Sequence, residues 1–187
     1  MSTIAAQPFS GTYRADPAHS SFAFAVRHSG VYTFRGSLSD VAATLRANGG
    51  APTLEGSARV DLVSVVEPPE FRAQVLGPEF FDAERHPEIT FRSVEVRLDG
   101  DGRAEVDGEL TIKGVTRAVA AIGRYEAPRP GPFNSETAGL ALQTTIDRRD
   151  FGFEFQMALP DGGDLLGWDV QLEIELRLVP DDEAGER

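Results

Sequence analysis

Cysteine is absent from the chain, which excludes disulfide scaffolds, thiolate metal sites and cysteine nucleophiles together. Histidine is scarce: only His19, His28 and His86 occur. None stands at i, i+4 on a helical pattern or beside a second ligand, so neither a metal centre nor a metal cofactor is expected. No stretch approaches the roughly 18 apolar residues that span a bilayer. The opening Met1–Pro17 lacks the basic and apolar regions of a secretion signal, so a soluble, cytoplasmic protein without an integral membrane span is expected. Positive charge is in deficit, 18 basic side chains against 30 acidic, for a net charge of −12. Such a surface repels phosphate backbones and anionic headgroups, which argues against nucleic-acid partners and electrostatic membrane docking. A Gly-x-Ser-x-Gly elbow, a phosphate loop and a dinucleotide fingerprint are all missing.

What is present is a hydrophobic fraction of 41% over 187 residues, enough for a core of one domain. It is arranged with a period of two. Phe22, Phe24, Val26 and His28 alternate with small or charged residues. Ala58, Val60 and Leu62 do the same, as do Ala104, Val106, Leu110 and Ile112. The last run is the cleanest: Val170, Leu172, Ile174, Leu176 and Leu178 against Asp169, Gln171, Glu173, Glu175 and Arg177. Strands with one face in water form antiparallel sheets. Asp99-Gly-Asp-Gly102 and Lys113-Gly114 read as hairpin turns, and Asn48-Gly-Gly50 ends a strand that begins near Tyr32. Parity slips near Asp40 and near Arg92, where β-bulges are expected. Residues 68–76, opened by Pro68-Pro69 and stopped by Gly77-Pro78, read as a short helix. Ala127 to Phe133, with four breakers, reads as an extended loop. The fold class is all-β, about eight strands closed into an up-and-down barrel over residues 11–179. Tails flank it at 1–10 and 180–187, the second acidic.

Chemistry-bearing residues are few. Asp99 to Gly102 has a faint calcium-loop look, but the further ligands are misplaced and it is a turn. Asp147-Arg-Arg-Asp150 reads as a salt-bridged barrel rim. His28 shares the face of Phe22, Phe24 and Val26. It is either a strand-end histidine satisfied by backbone or water, or a polar group at the mouth of an apolar cavity. Phe occurs twelve times, against two Met, three Tyr and one Trp. A small barrel can be filled by such rings or can hold one slim ligand, and the pattern alone does not separate the two.

Four ordered stretches carry a resemblance that covers the chain from about Gly11 to Leu178. They are Asp16-Pro-Ala-His-Ser20 running into Phe22 to His28; Phe80-Phe-Asp-Ala-Glu-Arg-His-Pro-Glu-Ile-Thr-Phe91; Gly108-Glu-Leu-Thr-Ile-Lys-Gly-Val-Thr116; and Ile146-Asp-Arg-Arg-Asp-Phe-Gly152. With them the sequence resembles the YceI-like family of lipocalin-like, polyisoprenoid-binding proteins. The resemblance implies a lipocalin-like barrel whose tunnel holds a polyprenyl chain, an isoprenoid quinone or a similar long amphiphile. Where the family usually shows an Arg-Asp pair in the helix, Phe71-Arg72 stands here; Leu76 replaces a common basic residue, and Trp168 stands near a usual acidic position.

The expected ligand-binding positions are Phe22, Phe24, Val26 and His28 on one strand and Phe34 on the next. Val75 in the helix, Phe80 and Phe81 after it, and Phe91 add to them. Leu110 and Ile112, then Phe151, Phe153 and Phe155, and finally Trp168, Val170 and Leu172 complete the set. No cofactor is expected beyond the bound lipid, and no catalysis, the function being transport, storage or sequestration. The alternatives are an enzyme acting on such a lipid or quinone, and a ligand-free stress or interaction module with a solid core. The oligomeric state stays open, a homodimer included.

Overall fold

The computed structural model describes residues 10–131 and 135–181. One antiparallel sheet contains strands β1 (Gly11–Ala15), β2 (Ser21–His28), β3 (Tyr32–Leu38), β4 (Val41–Ala47) and β5 (Thr53–Arg59). It continues through β6 (Glu88–Leu98), β7 (Arg103–Ile112), β8 (Val115–Pro130), β9 (Glu136–Asp147) and β10 (Leu166–Pro180). The one α-helix among the described residues is α1 (Pro69–Leu76). Strand β1 pairs with both β4 and β10, so the order β1-β4-β5-β6-β7-β8-β9-β10 closes into an eight-stranded barrel. Closure removes the edges of these eight strands, which would otherwise invite aggregation.

The other two strands are an extension of the wall. Along one edge of β10, residues 178–180 pair with β1 and residues 166–175 pair with β2. Strands β1 and β2 therefore follow one another down the same neighbour. Between them, Asp16 caps a single 3₁₀ turn, Pro17–His19, and forms an ion pair with Arg177 that pins this corner to β10. Strand β3 pairs with β2 on one side; on the other, Leu38 bridges to Val63 and Ser37 exchanges hydrogen bonds with Ser64, N to Oγ at 2.9 Å and O from N at 2.8 Å. The space beyond its outer edge is taken by residues 64–87, which contain α1.

The alternation places the core as expected. Leu172, Leu176 and Leu178 are buried from β10, Leu110 and Ile112 from β7, and Phe22 from β2. Tyr13, Leu45, Tyr125 and Leu178 fill the end remote from α1, where the Tyr13 hydroxyl donates to Glu136. The parity slip near Arg92 is a bulge: the β6–β7 register shifts between Ser93 and Glu95, and Val94 swings out to solvent. The slip near Asp40 is a break between strands. Ser39 and Asp40 separate β3 from β4, and Asp40 takes a left-handed φ of 58°. Both Asp99–Gly102 and Lys113-Gly114 turn hairpins.

Three local expectations need correction. Val60–Leu62 is a 3₁₀ turn, which rotates Leu62 to the surface. Ala127 to Pro130 is strand: the β8–β9 register shifts between Glu126 and Arg129, so Pro128 sits where the ladder asks for no N–H. Gly131 follows the strand and donates to Ser135 O at 2.6 Å, and residues 132–133 of that expected loop lie outside the described residues. So do residues 1–9 and 182–187 of the two expected tails. Pro180 belongs to β10 and pairs with Tyr13.

Candidate lipid-binding cavity

Helix α1 forms where the sequence predicts it. Pro69 opens it at a position with no intrahelical N–H to lose, and Gly77 ends it. The chain then doubles back: Phe81 N donates to Val75 O, Asp82 N to Gly77 O and Ala83 N to Leu76 O. This fold-back aims Phe80 and Phe81 toward the barrel beside Val75. The Arg72 guanidinium holds the whole segment down by donating to the carbonyls of Val63 at 3.1 Å, Val65 at 2.9 Å and Asp61. A charged donor satisfying several otherwise unpaired carbonyls is one of the stronger hydrogen-bonding arrangements available.

Under this cover lies a cavity of about 270 Å³. Phenylalanines ring it in sequence of contact. Phe71 meets Phe34 at 5.8 Å between ring centroids, and Phe34 meets Phe24 at 6.3 Å. Phe24 meets Phe81 at 6.1 Å, and Phe81 meets Phe153 at 5.4 Å. Phe80 and Phe155 pair at 5.1 Å. A void this size exceeds by far the roughly 10–15 Å³ that one water requires, yet its walls are almost wholly apolar. It is not a ring-filled core.

A second, smaller space of about 80 Å³ lies deeper, lined by Phe91 and Leu110 among others. Phe22, Ile89 and Leu172 border both spaces and stand between them. Two glycines make room for the rings. A Cβ at Gly36 would stand 2.4 Å from Phe24 Cζ, and one at Gly108 would stand 2.4 Å from Phe91 Cζ.

Of the expected positions, Phe24, Val26, His28, Phe34 and Val75 line the outer space, as do Phe80, Phe81, Ile112, Phe153, Phe155 and Val170. Phe22 and Leu172 line both spaces, and Phe91 and Leu110 the inner one. Two positions do not reach either space. Asp147 caps a 3₁₀ turn, Arg148–Phe151, which Gly152 ends in a left-handed conformation, so the alternation through Phe155 is broken. Phe151 is packed under that turn, 1% exposed. Trp168 is held against guanidinium groups, 4.1 Å from Arg148 and 4.8 Å from Arg149.

The polar groups sit at one end. His28 closes β2, with Nδ1 2.9 Å from Ser29 Oγ and its ring 4.9 Å from that of Tyr32. Gln74 and Arg148 also line the outer space. Arg148 is a site residue the sequence reading passed over. The Asp147–Asp150 run is a rim in part: Asp147 pairs with Arg149 at 2.5 Å, which holds the Asp147 carboxyl down at about 2. Arg148 instead turns inward. Two arginines against two aspartates let the run read as fully paired on the rim; the 3₁₀ turn instead gives Asp147 to Arg149 and leaves Arg148 facing the cavity.

A family model for the YceI-like domain matches residues 13–178. UPF0312 proteins of Staphylococcus aureus are 32% identical over 162 residues, covering 84% of this chain and 91% of the relative. Burkholderia cenocepacia BcnA superposes with a TM-score of 0.69 at 21% identity, covering 87% of this chain and 98% of that one. The Campylobacter jejuni YceI protein gives 0.68 at 21% identity, covering 83% and 90%. A polyisoprenoid-binding domain from Saccharophagus degradans, implicated in plant cell wall breakdown, gives 0.63 at 12% identity, covering 90% and 98%. On the family match and its coverage, the chain belongs to the YceI-like domain family.

Proposed function

We propose that this protein is a non-catalytic carrier that holds one long, slim apolar lipid, of the polyprenyl or isoprenoid-quinone kind, for transport, storage or sequestration in the cytoplasm. The observation that carries the reading is the apolar cavity beneath α1, with a second apolar space that shares Phe22, Ile89 and Leu172 with it. A filled core needs neither the cover nor the glycines that seat Phe24 and Phe91. Burying one methylene contributes about 0.8 kcal/mol, so each five-carbon isoprene unit contributes about 3–4 kcal/mol as an upper bound. A few units hold the ligand without an ion pair, and tunnel depth then sets the tolerated length.

An enzyme acting on the same lipid has one foothold, the Ser29 hydroxyl on His28 Nδ1. Acyl transfer by such a pair calls for a third group to orient the ring and for donors to an oxyanion, and no acidic side chain lines the outer space among the described residues. Binding is therefore the better supported reading. Native mass spectrometry of protein purified from its own host, with analysis of the solvent extract, tests it. A stoichiometric long-chain lipid is expected, and an empty barrel that also refuses added prenols overturns the reading.

A further inference from the structure

Among the described residues Arg148 is the only permanently charged side chain on the wall of the outer space, and it is 5% exposed. Its guanidinium has five N–H donors. Three are engaged: Nε with Gly167 O at 2.8 Å, Nη1 with Phe153 O at 2.6 Å and Nη2 with Leu166 O at 3.4 Å. Two donors thus remain without an acceptor among the described residues. Trp168 covers one face of the group at 4.1 Å and fixes its plane, leaving hydrogen bonding to the edges.

Among the described residues no carboxylate answers this charge directly. Asp147 is occupied by Arg149, through bonds of 2.5–3.1 Å. Burial pushes the Arg148 pKa down, and Asp147 and Asp164 only partly oppose that from a distance. A desolvated cation is costly unless a counter-charge or a full set of acceptors meets it, and three carbonyls are a partial set. The register shift in β10 between Leu166 and Val170 supplies two of those carbonyls. Leu166 also lies opposite His28 on β2 and exchanges hydrogen bonds with the Gln156 amide. The polar end of the cavity is therefore built around one cation, with His28 lining the same space.

We propose that Arg148 receives the head of the bound lipid, and that this head is an anion, a carboxylate or a phosphate monoester, on the apolar tail. The inference rests on the lipid-binding reading above and goes further by naming the head chemistry. An anionic oxygen would take the two free N–H donors in the edge-on geometry guanidinium groups favour. A neutral alcohol would accept from the same donors but would bring no counter-charge.

The test uses three ligands with one tail: geranylgeraniol, geranylgeranoic acid and geranylgeranyl phosphate. Each is titrated into the full chain, followed by calorimetry and by emission of Trp168, the only tryptophan. At least one anion is expected to bind about tenfold or more tightly than the alcohol, the gain of meeting the buried charge with an opposite one. It should also shift Trp168 emission more. The order of acid and phosphate tells the two head classes apart. In Arg148→Gln the anion-to-alcohol ratio is expected to fall to about one. If that variant does not fold, the comparison within the unaltered protein decides alone. Equal binding of all three ligands overturns the head-group inference and leaves the barrel reading intact. Failure of all three to bind overturns both.

Discussion

The ring of Phe24 on β2 lies over Gly36 on β3, so close that a Cβ at Gly36 would meet Phe24 Cζ at 2.4 Å. The pair holds an aromatic ring against the wall, where otherwise it would cross the lumen. Gly36 has an ordinary negative-φ strand backbone, so alanine there is opposed only by the ring. Its tip can move into the open space beyond. Gly36→Ala is expected to leave the barrel folded, at a cost of about 1–3 kcal/mol for overpacking. It should also weaken long prenyl lipids by at least severalfold. Thermal unfolding and lipid titration read the two effects, and unchanged lipid affinity counts against the packing described.

Arg72 is the tie between α1 and the 61–65 segment. Arg72→Ala removes three bonds from a charged donor and is expected to cost the cover about 2–3 kcal/mol. Amides of residues 71–76 should then exchange about thirtyfold faster or more, while those of β7 to β9 keep their protection. Uniform acceleration across the barrel would show that the cover is not an independent unit.

The Asp147–Arg149 pair sets part of the acid response. Because the Asp147 pKa is depressed from 3.8 to about 2 by hydrogen bonds from Arg149, the stability it contributes is present above pH 4. That contribution is lost as pH falls toward 2. Both partners are solvent-accessible, so the effect is modest. Asp147→Asn can still cap the turn but cannot pair, and its melting temperature is expected to fall less steeply than that of the unaltered protein between pH 4 and 2. Parallel curves would contradict the assignment.

His28 is expected to matter less than the tail. His28→Ala removes at most one neutral hydrogen bond to a ligand and should weaken prenyl lipids by about 0.5–1.5 kcal/mol. Complete loss of binding in a folded His28→Ala protein would move the affinity from tail to head.

Much of the barrel was legible because β6, β7 and β10 keep one face in water, and a period of two then reports every inward residue. The same rule failed where the backbone rotates. At Val60–Leu62 and Arg148–Phe151 a 3₁₀ turn replaces the pleat, so Leu62 surfaces and Phe151 leaves the cavity. At Ser39-Asp40 the parity slip was visible, but a bulge and a strand break produce the same slip. The site was legible in its apolar part. Arg148 was not, because a charged run on a surface looks the same whether its members pair with each other or one turns inward. Trp168 fell outside the lining for the related reason that the two arginines hold it.

An apolar chain is expected to run from beneath α1 past Phe24 toward Phe22, Ile89 and Leu172. Titrating prenols of graded length into the unaltered protein and into Phe24→Trp tests it most directly. Affinity is expected to rise with each isoprene unit and then level off once the cavity is filled. The folded Trp variant should level off at a shorter tail, because the larger ring occupies the passage. Equal binding of every length by both proteins would contradict the tunnel.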